Sequence, residues 1–228
     1  MTPSPLVAVG ILAKPPVPGF CKTRLCPPLT PVQAAELYHA LLEDTVALAL
    51  RTPGTRVTLF AAPEQDGTTI LQHLFPSVRV LPQRGADLGA RMFHALATLL
   101  TDDGADAALV LGADAPLVPL AEAVGCAAWL TEDAEHRAFA GPTQDGGYWT
   151  LGMAHPHPVL FRDVAWSTPL VLATTQARSA EAGLTLRLIS SAQDVDDGDD
   201  LRRLRVQLQD GSVAPATSRW LQSTASAG

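Results

Sequence analysis

Two uninterrupted apolar runs limit the folds that this chain can adopt. Neither residues 6–13 nor residues 107–112 include a charged or polar side chain, and such runs are typical of parallel strands that are buried on both faces. Further strands are predicted at 57–61, 78–81, 137–141, 148–153 and 184–189, with helices at 31–50, 70–75, 88–100, 120–130, 167–182 and 199–208. Because strands and helices alternate with short links, the sequence predicts an α/β fold with a mostly parallel sheet that helices cover on both faces.

Residues 1–228 are predicted to form a single domain, because no Pro-, Gly- or Ser-rich linker is long enough to separate two. The Ser/Thr/Ala-rich tail after about residue 220 is expected to be frayed. The oligomeric state is left open between a monomer and a homodimer.

The composition excludes several classes of protein. A hydrophobic content of 47% with 17% charged residues indicates a globular chain. The net charge of −7 argues against nucleic acid as a partner. No apolar run is long enough to span a bilayer, and the amino terminus has no signal-peptide pattern, so we expect a cytoplasmic protein without a membrane partner. The 3 cysteines include no C-x-x-C pair, which indicates reduced thiols and disfavours a metal cluster.

Basic and acidic residues follow the ends of the predicted strands. Lys14, Lys22 and Arg24 come after the first strand, and Asp114 comes directly after the fourth. Arg84 and Asp87 follow the third strand, Asp145 the fifth, and Asp194 and Asp196 the last. Ligands of open α/β sheets bind outside the carboxyl ends of the strands. Several cations and carboxylates at one edge suit a polyphosphate bound with a divalent metal, since magnesium prefers oxygen ligands.

Common phosphate, metal and nucleophile motifs are missing. The chain has neither G-x-x-x-x-G-K-[ST] nor G-x-G-x-x-G, which disfavours a P-loop protein and a nicotinamide dehydrogenase. The acidic run 194–200 resembles a calcium loop, but its glycine is one place early and Arg205 stands where a bidentate Glu would be needed. There is no G-x-S-x-G elbow, and His155-Pro156-His157 is more typical of a surface turn than of a metal site.

Several of these residues have simpler structural interpretations. Asp114 and Asp87 could each cap the helix that follows, and residues 145–147 could form a plain hairpin turn instead of an anion site built from two N–H groups. The run 194–200 could be only a capped helix start. We assign a function to Asp196 within it, and interpret Asp199 and Asp200 as charges that interact favourably with the positive end of the helix dipole. Trp166 fits a core or pocket-wall residue better than a catalytic one.

Six segments together resemble bacterial GT-A-fold transferases. They are residues 14–25 (KPPVPGFCKTRL), 87–92 (DLGARM), 111–116 (LGADAP), 141–148 (GPTQDGGY), 166–168 (WST) and 194–196 (DVD). They occur in order over nearly the whole chain and most resemble the radical-SAM/selenodomain-associated transferase 1 group. The chain is more distantly similar to 2-phospho-L-lactate guanylyltransferase and to molybdenum-cofactor guanylyltransferase.

The resemblance implies a three-layer αβα fold with a Rossmann-like sheet, and it implies functions for individual residues. In the family pattern, Lys22 and Arg24 hold phosphates. Both residues act in catalysis together with Asp114, which is the main metal ligand. Asp196, with Asp194 beside it, completes the metal site. The implied nucleotide-binding positions also include Lys14, Gly19, Asp87 and Gly89, and the implied acceptor-binding positions are Asp145, Gly146 and Gly147. Two departures matter: the first loop lacks the paired glycines of sugar-nucleotide pyrophosphorylases, and residues 197–200 read DGDD where relatives carry TPED.

The expected activity is that of a nucleotidyltransferase that uses Mg²⁺ (or Mn²⁺). It would move a nucleotidyl group from a nucleoside triphosphate to a small, phosphorylated acceptor. The alternatives are a GT-A glycosyltransferase with a nucleotide-sugar donor and a non-catalytic nucleotide-binding module. A basic loop after the first strand favours the triphosphate, because its β,γ-phosphates need a counter-charge that a sugar does not.

Overall fold

One sheet organises the molecule, which we describe from a computed structural model for residues 4–102, 104–114, 116–208 and 213–225. Its strands in these residues are β1 (Val7–Ala13), β2 (Thr55–Ala61), β3 (Arg79–Pro82), β4 (Ala107–Gly112), β5 (Arg137–Pro142), β6 (Tyr148–Met153) and β7 (Thr185–Leu188). Their order across the sheet is β3-β2-β1-β4-β6-β5-β7. Only β6 runs antiparallel to its neighbours. Six strands therefore end at one edge, which we call the carboxyl edge, and β6 begins there.

Helices cover both faces of this sheet. In the described part of the chain they are α1 (Pro31–Arg51), α2 (Gly67–Leu74), α3 (Leu88–Thr101), α4 (Leu120–Gly125), α5 (Ala127–Glu132), α6 (Val171–Glu181), α7 (Gly198–Gln207) and α8 (Pro215–Ala225). Short 3₁₀ turns occupy Thr23–Leu25, Glu64–Asp66 and Pro158–Phe161. The α/β fold with a mostly parallel sheet is confirmed. None of the described helices combines the length and the apolar character that crossing a membrane requires.

Burial explains why β1 and β4 lie at the centre of the sheet. Along β1, Val9 and Ile11 pack into a core on one face while Ala8 packs into a core on the other, so both faces of the strand are covered. In the register of β1 with β4, Leu12 is the partner of Gly112. The chain therefore leaves β1 and β4 side by side, at the middle of the carboxyl edge.

Two predicted helical regions differ from the structure. The helix expected over 120–130 is divided into α4 and α5 next to Gly125, a residue of low helix propensity. The tail expected to fray after about residue 220 instead continues as α8 to Ala225, because Leu221 is buried in the core that also contains Leu41. The last three residues, 226–228, lie outside the described part of the chain.

A buried carboxylate attaches α8 to α1. Asp44 is 4% exposed, and its carboxylate accepts hydrogen bonds from Ala216 N–H at 3.0 Å, Thr217 N–H at 2.8 Å and the Thr217 hydroxyl at 2.6 Å. These N–H groups belong to the first turn of α8, which has no intrahelical partner for them. The negative charge also faces the positive end of the helix dipole.

Replacing Asp44 with Ala should lower the free energy of unfolding by about 3 kcal/mol, because three buried donors lose a charged acceptor. Chemical denaturation measures this loss. In the Asp44→Ala variant, hydrogen exchange should show that α8 opens before the rest of the fold. The exposed neighbour Glu43, whose carboxylate lies 3.7 Å from Arg219, is the matched control. Glu43→Ala should change stability by no more than about 0.5 kcal/mol; an equal loss in both variants would contradict the assignment.

We expect His157 to make the free energy of unfolding depend on pH. It is 6% exposed, and its Nε2 lies 3.1 Å from the Ala134 carbonyl oxygen. Burial, together with the nearby His155 and His136, lowers the pKa of His157 below 6.5. As the pH falls below 6.5, the unfolded chain binds a proton that the folded chain does not, so the free energy of unfolding should decrease. Denaturation of wild type and His157→Gln between about pH 7 and pH 5 should show a smaller decrease in the variant.

Candidate functional site at the carboxyl edge

The loop after β1 directs one lysine inward. It contains three prolines, which stiffen it, and at Lys22 the backbone adopts φ +48° and ψ +38°, in the left-handed region. The 3₁₀ turn Thr23–Leu25 follows, and its Leu25 is fully buried. A non-glycine residue in the left-handed region costs on the order of 1 kcal/mol or more, so packing must hold it there. As a result the Lys22 side chain is only 6% exposed.

The Lys22 ammonium lies between two carboxylates. Its Nζ is 2.9 Å from Asp114 Oδ2 and 2.8 Å from Asp196 Oδ1. Burial alone would lower the pKa of Lys22, but the charges of Asp114 and Asp196 outweigh it and raise the pKa well above its ordinary value. Burial would likewise raise the pKa of Asp114, yet the adjacent ammonium holds that pKa below its usual range. Lys22 and Asp114 are therefore both charged near neutral pH.

Backbone contacts bring the two carboxylates together from distant parts of the chain. Val195 is buried, and its N–H donates to the Asp114 carbonyl oxygen at 3.2 Å. Asp196 follows directly and turns toward Lys22. Asp114 Oδ1 would lie 2.7 Å from any Cβ at position 112, so its carboxylate fits over the backbone only because Gly112 has no side chain. The next residue of the predicted 111–116 segment, Ala115, lies outside the described residues.

The capping interpretation of Asp114 is wrong. The helix after β4 is α4, which begins at Leu120 and has Pro119 at its N-cap. The Asp114 carboxylate instead accepts from Lys22. The Asp114 side chain therefore forms an ion pair and does not cap a helix.

The interpretation as a capped helix start is confirmed for Asp197, Asp199 and Asp200. Asp197 caps α7, and Asp200 completes the capping box and also accepts from Asp196 N–H at 2.9 Å. Asp199 forms an ion pair with Arg202 one turn along the helix. These contacts hold the backbone of Asp196 in place while its carboxylate faces the site.

The Asp194 carboxyl group lies near other carboxylates of the site. Burial and the carboxylates of Asp114, Asp196 and Asp145 raise its pKa to about 6. Among the described residues no group of three or more His, Cys, Asp or Glu side chains is arranged to hold a metal ion. The predicted ligands Asp114, Asp194 and Asp196 thus do not form a ready three-carboxylate cluster; Asp114 and Asp196 are the two that share a contact, through Lys22.

The remaining predicted phosphate-binding residues lie on the outer side of the loop. The Arg24 side chain is 77% exposed, with one guanidinium nitrogen 3.9 Å from Asp196 Oδ2. Lys14 is exposed and follows β1 directly, while Gly19 has φ +83° and open space around it. Arg24 and Lys14 are therefore the positive charges of this loop that a ligand at the edge can reach directly, whereas the Lys22 ammonium is already paired with two carboxylates.

Asp87 and Gly89 have structural explanations at the start of α3. The Asp87 side chain accepts from Ala90 N–H at 2.8 Å, so the capping interpretation is confirmed for Asp87. A Cβ on Gly89 would overlap the Trp166 ring. Trp166 packs against the core next to α3 and approaches Phe161 with ring centroids 6.4 Å apart, in agreement with its interpretation as a core or wall residue.

The predicted acceptor segment forms a hairpin turn between β5 and β6, with hydrogen bonds inside the turn. Gly147 N–H donates to Asp145 Oδ1 at 3.1 Å, and Gly146 N–H points at the Thr143 carbonyl oxygen at 3.4 Å. Gly146 has φ +88°, and its close approach to Pro169 leaves no room for a Cβ. Both N–H groups therefore have partners inside the turn, which supports the hairpin interpretation. Acceptor binding by Asp145, Gly146 and Gly147 stays a prediction.

Tyr38 is a site-supporting residue that sequence reasoning missed. It is 5% exposed on α1, and its hydroxyl accepts from Lys14 N–H at 2.9 Å, where the chain leaves β1. Burial and the charge of Asp114 raise the pKa of Tyr38, so it stays neutral. The only available signal was a tyrosine on the buried stripe of an amphipathic helix, which is also what an ordinary core position looks like.

Comparison with solved structures shows the fold of nucleotide-diphospho-sugar transferases. A provisionally assigned nucleotide-diphospho-sugar transferase from Desulfovibrio desulfuricans G20 is 25% identical with a TM-score of 0.84, over 97% of this chain and 96% of that one. CMP:2-keto-3-deoxy-manno-octonic acid synthetase, solved with CTP, is 12% identical with a TM-score of 0.55 over 90% and 98%. The mannosyltransferase PcManGT from Pyrobaculum calidifontis, solved with GDP-Man and Mn²⁺, is 14% identical with a TM-score of 0.51 over 100% and 77%.

No curated protein matches this sequence at a significant level. The finer resemblance to the radical-SAM/selenodomain-associated group and to the two guanylyltransferases stays a prediction. A family match covers more than half of the chain, at residues 45–168, and includes Asp114. The chain therefore belongs to the bacterial family described as "Uncharacterized protein conserved in bacteria (DUF2064)".

Proposed function

We propose that this protein is a nucleotidyltransferase that works with a divalent metal. It would transfer the nucleotidyl group of a nucleoside triphosphate to a small, phosphorylated acceptor. The observation that carries the proposal is the convergence of Lys22, Asp114 and Asp196 at the carboxyl edge, with the exposed Arg24 beside them. The shared fold with a synthetase solved with CTP supports a nucleotide as the ligand.

Asp114 and Asp196 fit a divalent metal by the chemistry of their donors. Both supply carboxylate oxygens, their side chains are 33% and 40% exposed, and one cation, the Lys22 ammonium, already contacts both. Magnesium is typically held by one or two carboxylates together with substrate phosphates, so a third protein ligand is not required. When bound, the metal would supply neutralisation of phosphate charge. The solved mannosyltransferase with Mn²⁺ supports a metal in this fold.

The basic residues would position the triphosphate and absorb its charge. Lys22 provides a compact ammonium with three donors, and Arg24 provides a planar guanidinium that can bind two phosphate oxygens at once. An acceptor oxygen would attack the α-phosphorus in line, the bond to the β-phosphate bridging oxygen would break, and pyrophosphate would leave with its charge against these two residues. Catalysis of this kind rests on positioning and electrostatic stabilisation.

A glycosyltransferase is the second candidate. It is favoured by the solved relative with the 0.84 TM-score, which is assigned to nucleotide-diphospho-sugars. The donor would then be a nucleotide sugar, and the same two cations would face a diphosphate. The products separate the two reactions, because nucleotidyl transfer releases pyrophosphate whereas glycosyl transfer releases a nucleoside diphosphate.

A thermal-shift screen followed by product analysis tests the proposal. Nucleoside triphosphates and nucleotide sugars are each added with and without Mg²⁺, and a ligand that binds the folded state raises the melting temperature. We expect at least one triphosphate to stabilise the protein in the presence of Mg²⁺, and to release pyrophosphate with a phosphorylated acceptor. Stabilisation by nucleotide sugars alone, with release of nucleoside diphosphate, would instead establish the glycosyltransferase. Binding without turnover of any acceptor would indicate the non-catalytic module.

A further inference from the structure

The place between the two carboxylates is already taken by a group of the chain itself. Lys22 Nζ is within 2.9 Å of both Asp114 and Asp196, and the side chain is 6% exposed. The left-handed backbone at Lys22, with φ +48°, directs this side chain inward. The ammonium is therefore a built-in cation at the position where two carboxylates could share a metal.

An ammonium and a divalent metal cannot share this place. Both would draw on the same two carboxylates, and two positive charges a few ångströms apart repel each other. Either the ammonium stays and the metal is excluded, or the metal enters and the ammonium leaves. The two carboxylates are one-third or more exposed, so an ion can reach them from solvent.

We propose that Lys22 is an exchangeable occupant of the metal position: a divalent ion binds Asp114 and Asp196 only when the Lys22 ammonium moves out, and the phosphates of the nucleotide favour that movement. This inference rests on the proposed function, since it needs a metal and a polyphosphate at this edge. Lysine suits such a movement because its ammonium is a point charge on a flexible four-carbon stem. The exposed Arg24, 3.9 Å from Asp196, marks the outer side to which the ammonium would move.

Exchange makes metal binding and polyphosphate binding cooperative. Without a polyphosphate, the ammonium stays between Asp114 and Asp196 and competes with the metal. A bound polyphosphate gives the ammonium a new partner and leaves both carboxylates to the metal. By linkage each ligand then raises the affinity for the other, and the metal alone binds weakly.

Mn²⁺ binding without nucleotide tests the exchange. Lys22→Met keeps the length of the side chain and removes its charge, so it should bind Mn²⁺, measured by electron paramagnetic resonance, at least about tenfold more tightly than wild type. Arg202→Met is the matched control, since it removes an exposed charge that contacts Asp199 on α7, and should change Mn²⁺ affinity less than about threefold. Adding Asp114→Asn to Lys22→Met should abolish the gain. Equal or weaker Mn²⁺ binding by Lys22→Met would overturn the proposal.

Wild-type protein offers a second measurement that needs no variant to fold. The chain has lysine only at positions 14 and 22, so the NMR signals of the two lysine side chains can be assigned easily, with the exposed Lys14 as the internal reference. Titration with Mg²⁺ should move the Lys22 Cε–H signal in a saturable way. A Lys22 signal that stays unchanged while calorimetry shows Mg²⁺ bound would also overturn the exchange. Neither failure touches the release of pyrophosphate, which tests the proposed function separately.

Discussion

Replacing Asp114 with Asn should lower the turnover rate by about 100-fold or more and leave the fold intact. Asp114 is one of the two carboxylates that contact the Lys22 ammonium and the main residue proposed to hold a metal. The substitution keeps the shape and removes the charge, and losses of this size are typical when a preorganised charge near a reacting phosphate is removed. The measurement is the rate of pyrophosphate release at saturating triphosphate, with circular dichroism to confirm folding.

The fold should survive because Lys22 is not left without a partner in Asp114→Asn. Its ammonium keeps the contact of 2.8 Å with Asp196, and the backbone bond from Val195 to the Asp114 carbonyl oxygen does not involve the side chain. A wild-type turnover rate in a folded Asp114→Asn protein would remove Asp114 from the proposed reaction.

Two aspartates of the acidic run should differ sharply in their effect on turnover. Asp196→Asn should reduce the rate of pyrophosphate release by about 100-fold, because it removes the second charge at the site. Asp199→Asn, the matched control only three residues away, should keep the rate within about threefold, since Asp199 contacts Arg202 on the exposed surface of α7. Steady-state kinetics of the two variants under identical conditions measure the difference.

Equal rates in Asp196→Asn and Asp199→Asn would contradict this division of the run. The division rests on contacts that the structure describes: Asp197 and Asp200 bind N–H groups at the start of α7, whereas Asp196 contacts Lys22. A loss of activity in Asp199→Asn alone would mean that the outer surface of α7 carries the site.

The sequence predicted where the site lies because strand ends are easy to find. Apolar runs located β1 and β4, and a parallel sheet brings the ends of such strands to one edge. Lys22 and Asp114, 92 residues apart, could therefore be expected near each other. The same logic placed Asp196 at this edge, since it follows the last strand.

Contacts that depend on the exact path of the backbone were beyond sequence reasoning. The prediction for Lys22 was a residue that holds phosphate, but the backbone at φ +48° turns its ammonium onto two carboxylates. Residues 145–147 looked equally suited to an anion site and to a hairpin turn, and only the structure reveals the hydrogen bonds inside the turn. Local sequence cannot reveal which N–H groups a turn has already satisfied.

Long-range polar contacts in the core were missed for a similar reason. Asp44 lies on α1 among apolar residues. Nothing near it in sequence indicates that its carboxylate accepts a hydrogen bond from the first turn of α8, 172 residues away. Tyr38 on the same helix resembles an ordinary core residue until its hydroxyl is seen to accept from Lys14 N–H. Both are recognisable only once the elements are packed.

A crystal structure with Mn²⁺ and a non-hydrolysable nucleoside triphosphate analogue tests the central claim most directly. Anomalous scattering locates Mn²⁺ independently of any assumption about its ligands. We predict an anomalous peak between Asp114 and Asp196, phosphate oxygens against Arg24, and the Lys22 ammonium on a phosphate. A manganese peak and a triphosphate bound elsewhere, with Lys22 still between the two carboxylates, would contradict the account.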